Sequence, residues 1–184
     1  MKKVLIPVAD GFEEIETVTL IDVLRRVGVD VTVAGLRAGE LVGSRRVRLL
    51  PDVELDAVQN QDFDMVILPG GQPGVDHLRG DARVLALLKS MHARKKLIGA
   101  ICAAPLALRD AGLISGLRLT SYPSLAGELS GSRYEEARVV VDGHIVTSRG
   151  PGTALEFALK VVEILVGRAK AEELAGILLA PAAR

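Results

Sequence analysis

The stretch Lys96-Leu97-Ile98-Gly99-Ala100-Ile101-Cys102-Ala103-Ala104-Pro105 decides how the chain is read. An apolar run ends at one thiol, small residues follow, and Leu106-Ala107-Leu108-Arg109 opens a second periodic segment. This predicts a buried strand, a sharp turn and a helix. A nucleophile on such a turn is pushed out at the carboxyl end of its strand. Ala100 and Ala104, two residues to either side, meet the steric demand of that elbow. A helix N-terminus behind the sulfur favours the thiolate. Cys102 is the only cysteine, and free cysteine is also a common small core residue. Its own context therefore leaves burial and reactivity both open.

Working outward, Val4-Leu5-Ile6-Pro7-Val8-Ala9 and Asp64-Met65-Val66-Ile67-Leu68 are further apolar runs of strand length. Asp10-Gly11 turns, and Glu13 to Val27 reads as a helix with Ile15, Val18, Thr19, Asp22 and Val23 near one side. Gly28 closes it, and Asp30 to Gly35 is a second strand. That spacing implies a right-handed parallel crossover. Residues 41–50 read as an edge hairpin or exposed strand, Ala82–Arg94 as a helix, Leu117–Ser121 as a short strand and 123–136 as loop and weak helix. Ala137–Val141 and His144–Thr147, split by Asp142-Gly143, form a hairpin by turn chemistry. Thr153-Ala154-Leu155-Glu156 matches a capping box opening a helix with Leu155, Ala158, Leu159, Val162, Leu165 and Val166 at helical spacing. A last helix is expected at 169–179, and the tail from Ala180 to Arg184 is expected to fray.

The chain has 184 residues, 49% apolar but only 3% aromatic, so its core is Val, Leu, Ile and Ala, which suits a parallel sheet buried on both faces. One domain over 1–184 is expected. Acidic and basic residues balance at 23 each, leaving no global field to recruit nucleic acid or an anionic membrane. The apolar start from Val4 to Ala9 is too short for a signal-peptide core or a membrane span, so a soluble cytoplasmic protein is expected.

In an open α/β sheet, ligands bind outside the carboxyl ends of the strands. Asp10, Gly11, Glu13, Glu14 and Glu16 follow the first strand, Gly70 and Gly71 the third, and Cys102 the fourth. Ser148, Arg149, Gly150, Pro151, Gly152 and Thr153 follow the hairpin. Adjacent parallel strands would bring these groups to one rim. Plainer roles exist for each. Carboxylates suit a first helical turn, and Pro69-Gly70-Gly71 suits a tight turn. No Gly-Lys-Ser/Thr follows, so this is not a phosphate loop. His77, His92 and His144 read as solvated side chains. No ligand spacing suggests a metal, and no cofactor is expected.

Four motifs occur in one order: Gly11-Phe12-Glu13-Glu14-Ile15-Glu16-Thr17-Val18, Val66-Ile67-Leu68-Pro69-Gly70-Gly71, Ala100-Ile101-Cys102-Ala103-Ala104-Pro105 and Thr147-Ser148-Arg149-Gly150-Pro151-Gly152-Thr153. Together they resemble the DJ-one/PfpI (ThiJ) superfamily, in particular its DJ-one/YajL branch, from residue 3 to 179. The resemblance implies a flavodoxin-like three-layer α/β sandwich with a mainly parallel central sheet and a nucleophile elbow. By the same resemblance Cys102 is the reactive thiol and Glu16 the carboxylic acid that hydrogen-bonds it. The backbone N–H groups of Gly71 and Ala103 match an oxyanion-hole pair. Gly70, Tyr122, Ser148, Arg149, Arg45 and Arg26 line the site or an interface. The branch implies a homodimer and several activities: glutathione-independent glyoxalase, deglycase of protein or nucleotide adducts, chaperone and oxidative-stress sensor.

Three departures narrow this. Ala103 stands where protease-like members carry His after the nucleophile, which excludes a Cys-His peptidase dyad there. Ser121-Tyr122-Pro123 stands where the family's Thr-His-Pro would supply a base. Gly43 and Leu50 replace secondary cysteines, so no disulfide can form within the chain. Without a histidine beside it, the thiol depends on the helix N-terminus and nearby arginine. A protonated Glu16 would donate a hydrogen bond to a thiolate, whereas an ionised one would repel it. The expected substrates are small α-oxoaldehydes such as methylglyoxal or glyoxal, or glycated adducts. The alternative is a redox-sensing chaperone whose Cys102 is oxidised to sulfinic acid.

Overall fold

Val4, Ile6 and Val8 of one strand pack on one side of a sheet, and Leu5 packs on the other. The computed structural model, which describes residues 1–180, repeats this alternation through the central strands. The expected fraying of 181–184 lies outside the described residues. The sheet strands are β1 (Lys3–Val8), β2 (Asp30–Gly35), β3 (Val53–Glu54), β4 (Met65–Leu68), β5 (Leu97–Ile101), β6 (Val139–Asp142) and β7 (Ile145–Ser148). Their spatial order is β6-β7-β5-β4-β1-β2-β3. Every pair is parallel except the β6–β7 hairpin.

Helices α1 (Glu14–Arg26), α5 (Ala154–Val166) and α6 (Arg168–Ile177) cover one face. Helices α2 (Gly74–Gly80), α3 (Ala82–Ala93) and α4 (Pro105–Asp110) cover the other. This is the expected flavodoxin-like three-layer sandwich. Gly99 fits the first interface because a Cβ there would meet Met65, Ile67 and Phe157 at 3.0–3.2 Å. The chain runs outward from β1 to β3 and then returns to β4 on the other side of β1. The reversal opens a crevice between the carboxyl ends of β1 and β4, where ligands of such folds bind.

Several sequence expectations change. Helix α1 buries Glu16, Thr17, Leu20, Val23 and Leu24, while Ile15 and Val18 face solvent. The apolar spacing points to the opposite choice. The buried face combines Glu16 and Thr17 with the apolar Leu20, Val23 and Leu24. Thr153 does not cap α5. Its Oγ1 is taken by Ser148 Oγ at 2.7 Å and by the Gly150 and Arg149 N–H groups at 3.1 and 3.2 Å. Helix α2 is not anticipated by the sequence, because it begins and ends in glycine and spans only seven residues. Residues 41–50 do form a small hairpin, pairing Leu41–Val42 with Arg48–Leu49. Among the described residues no helix is long and apolar enough to cross a membrane.

Candidate active site

The parallel register of β1, β4, β5 and β7 places their carboxyl ends on one edge, so the rim inferred from sequence exists. Cys102 follows β5 directly, with φ +65°. That left-handed conformation costs a residue with a side chain roughly 1–2 kcal/mol. Neighbours hold it there: the Cys102 N–H donates to the Ser148 carbonyl at 3.0 Å, and the Tyr122 N–H donates to the Cys102 carbonyl at 2.8 Å. The elbow is therefore clamped from both flanking segments, and the thiol is left partly exposed.

Glu16 reaches the sulfur from the first turn of α1. Two loops interlock to allow this. The Glu13 N–H donates to the Gly70 carbonyl at 2.9 Å and the Gly74 N–H to the Gly11 carbonyl at 3.3 Å. Gly71, at φ +98°, has Gly11 and Phe12 backbone where a side chain would stand. At Gly70 a Cβ would lie 2.5 Å from Glu16 Oε2 and 2.6 Å from Cys102 Cβ. Glycine at 70 is thus what permits the acid and the thiol to meet.

The carboxyl of Glu16 is fully buried. Its Oε2 accepts the Gly70 N–H at 2.8 Å, and its Oε1 has no conventional hydrogen-bond partner. The polar group left facing the carboxyl is the thiol. Burial pushes Glu16 up to about 7, against the opposing pull of the Gly70 N–H. Burial and the Glu16 charge push the Cys102 thiol up to about 12, while the N–H groups of Ala103 and Gly71 pull it down. Much of that upward push depends on Glu16 being ionised. With the proton on Glu16, the repulsion vanishes and the acid becomes a donor to sulfur.

The remaining candidates separate. The Gly71 and Ala103 N–H groups are the backbone donors that pull the thiol down. The Tyr122 ring lies half exposed beside Gly150. The Ser148 hydroxyl is turned away into hydrogen bonds with the Arg138 carbonyl and Thr153. Among the described residues, no arginine is one of the main influences on the thiol, which are burial, Glu16 and the Ala103 and Gly71 N–H groups. Arg149 donates to the Glu136 carbonyl at 2.6 Å, and Arg45 to the Ser44 carbonyl at 3.2 Å. Arg26 pairs with Asp22 at 2.7 Å in the last turn of α1, about 15 Å along the helix axis from Glu16. These three arginines are thus engaged with other partners in the structure. Helix α4, six residues long and starting at Pro105, adds little dipole.

The acidic triplet resolves into three jobs, of which the residues alone assign none and the family resemblance only that of Glu16. Glu13 caps α1, its carboxylate accepting the Glu16 N–H at 2.8 Å. Glu14 clamps the 44–47 turn, accepting from the Arg45 N–H at 2.5 Å and the Ser44 hydroxyl at 3.1 Å. Only Glu16 meets the thiol. Of the histidines, His77 is exposed, whereas His92 and His144 are partly buried and contact each other, correcting the solvated reading. Among the described residues no group of three or more His, Cys, Asp or Glu side chains is arranged to hold a metal.

Known proteins share this arrangement of fold and sequence. A family model described as DJ-1/PfpI family matches residues 2–164. Protein dj-1beta of Drosophila melanogaster is 48% identical over 183 residues, covering 97% of this chain and 98% of that protein. Its crystal structure superposes with a TM-score of 0.95 over 98% of each chain, at 46% identity. A Caenorhabditis elegans relative named glutathione-independent glyoxalase DJR-1.2 is 39% identical over 93% of this chain and 91% of its own. Toxoplasma gondii DJ-1, solved in an oxidized form, superposes with a TM-score of 0.95 at 41% identity, covering 98% of this chain and 99% of that one.

Proposed function

The chain belongs to the DJ-1/PfpI family, and from that premise we propose that it is a cysteine-dependent glyoxalase acting on small α-oxoaldehydes, with related deglycase action on their adducts. The observation that carries this reading is the buried Glu16 carboxyl facing the partly exposed Cys102 thiol, with the Gly71 and Ala103 N–H groups aimed at the same sulfur. The glyoxalase name of the nematode relative supports the same chemistry.

The acid and the thiol hold one proton between them, and substrate is attacked from the state with thiolate and neutral Glu16. Sulfur bonds to the aldehyde carbon of methylglyoxal, and the resulting oxyanion is stabilised by the two N–H groups. It takes up a proton to become a hemithioacetal. Glu16, now a carboxylate, removes the hydrogen from that carbon and returns a proton to the neighbouring carbon through an enediol. The product is a lactate thioester of Cys102. Water cleaves it, releasing lactate and restoring the thiol. The balance is methylglyoxal plus water to lactate, with no cofactor consumed.

The protein is further read as a single cytoplasmic domain that pairs as a homodimer. Ile15 and Val18 stand exposed on α1, and Glu14 ties the turn carrying exposed Val47 to the same helix. That apolar surface beside the site, with Arg26 and Arg45 near it in sequence, suits a second copy better than water.

The test is lactate formation from methylglyoxal by the wild type, Cys102→Ser and Glu16→Gln. Both variants are expected to lose turnover, and full activity in Cys102→Ser would end the reading. A second reading, a sensor storing Cys102 as a sulfinate, is favoured by the oxidized Toxoplasma relative. Mild peroxide would then add two oxygens to the intact mass at Cys102, in a protein with negligible turnover.

A further inference from the structure

One pair of side chains takes no part in that chemistry. His92 lies in the last turn of α3, and His144 precedes β7. Nδ1 of His92 and Nε2 of His144 are 3.1 Å apart, and the ring centroids are 4.9 Å apart. The two rings form part of the wall of a cleft of about 470 Å³, also lined by Leu113, Ser115, Asp142 and Ile145. The His144 carbonyl accepts the Ile98 N–H at 2.9 Å, which fixes this cleft at the amino edge of the sheet. Cys102 lies four residues beyond Ile98, roughly 13 Å further along the strand direction.

We propose that His92 and His144 form a binding site for a divalent transition metal of the zinc type, held by the two imidazole nitrogens and completed by water from the cleft. Imidazole is a favoured ligand for such ions. Two nitrogens at about 2.0–2.1 Å from a tetrahedral zinc stand roughly 3.3 Å apart, close to the separation found here. Turning each ring by roughly 35° off the line between the two nitrogens brings both lone pairs to one point, as a tetrahedral N–metal–N angle requires. The proton now lying between the rings moves to the far nitrogen of the imidazole that carried it. Metal entry then needs no proton release when both rings are neutral.

Asp142 lines the same cleft. Its Oδ2 accepts the Arg118 N–H at 2.8 Å, which fixes the carboxylate as an acceptor for metal-bound water. With two protein ligands the site is open and exchangeable, unlike a closed structural zinc centre.

The test is a zinc titration against a chromophoric competitor, using full-length Cys102→Ala protein so that the thiol cannot compete. One equivalent is expected to bind. His92→Ala and His144→Ala should each weaken binding at least tenfold, and His77→Ala should not. In protein with all histidines intact, zinc should shift the ¹⁵N signals of His92 Nδ1 and His144 Nε2, and Ni²⁺ should broaden amides of 112–117 and 142–145. Zinc affinity undiminished in His92→Ala or in His144→Ala, broadening centred elsewhere, or no saturable zinc binding would overturn the proposal.

Discussion

The Gly70 N–H donates to Glu16 Oε2 at 2.8 Å, which leaves the other carboxyl oxygen with no conventional partner of its own and the Cys102 thiol facing it. One bond orients the acid, and the missing bond reserves it for sulfur. The arrangement makes the pair, rather than the thiol alone, the unit that titrates.

Glu16 is therefore expected to set a pH dependence of stability. Its value rises from 4.5 to about 7 on folding, so the folded state holds the proton more tightly than the unfolded chain. The resulting stabilisation is complete below pH 4.5 and is lost as pH rises through about 7. The full shift corresponds to roughly 3 kcal/mol. Glu16→Gln removes the titration while keeping an acceptor for Gly70. Its stability relative to wild type should rise by roughly 2 kcal/mol between pH 5 and pH 8 in urea unfolding. A constant difference across that range would contradict the assignment.

The same variant separates thiol acidity from turnover. Without the Glu16 charge the thiol loses one of the causes that push it up, so alkylation of Cys102 at pH 7 should quicken. Lactate formation should fall, by about 10²-fold or more, because the proton carrier is gone. Iodoacetamide kinetics and methylglyoxal turnover on one preparation check both halves.

Gly70→Ala tests the close approach directly. The added methyl would stand 2.5 Å from Glu16 Oε2 and 2.6 Å from Cys102 Cβ. Overpacking of this kind costs about 1–3 kcal/mol and would separate acid from thiol. Turnover should fall sharply even where the protein remains folded. Gly152 serves as control, because nothing lies within 4 Å of where its added methyl would stand. Gly152→Ala should change stability by no more than about 0.5 kcal/mol.

Glu14 should act with the opposite sign. Hydrogen bonds from the Arg45 N–H, its own helix backbone, Ser44 and Val47 hold its carboxyl below the usual range against the cost of burial. Its contribution is therefore present above pH 4.5 and lost as pH falls below it through the folded value. Glu14→Ala strands those donors and should cost about 1–3 kcal/mol at pH 7. Faster amide exchange at Arg45 and Val47, with Cys102 alkylation unchanged, would locate the damage in the turn.

How far the residues disclose this arrangement depends on the kind of signal. The buried strands are legible because runs such as Val66-Ile67-Leu68 leave little choice, and the shared rim follows from parallel order. The face of α1 is only partly so. Leu20, Val23 and Leu24 do mark the buried face, but the exposed Ile15 and Val18 and the buried Glu16 blur the pattern in the first two turns. Helix α2 is hidden by glycines that allow close loop contact at Gly74 but read as turn. Thr153 matches a cap by spacing, yet Ser148 and Gly150, which the strand end brings near, take its hydroxyl.

Tyr122 offers a test of how many proton carriers the site has. Its N–H is fixed to the Cys102 carbonyl at 2.8 Å, so whatever side chain stands at 122 starts from a position locked to the nucleophile. The tyrosine ring is half exposed and rests beside Gly150, leaving room for a smaller imidazole. A tyrosine near pKa ~10 is a poor base at pH 7, whereas histidine titrates near ~6.5. General acid–base help contributes about 10²–10⁴-fold where it is well placed. Tyr122→His should therefore raise kcat for methylglyoxal by about tenfold or more and add a limb near pH ~6.5 to the rate profile. An unchanged kcat with no new limb would mean that Glu16 already carries every proton transfer that limits the reaction.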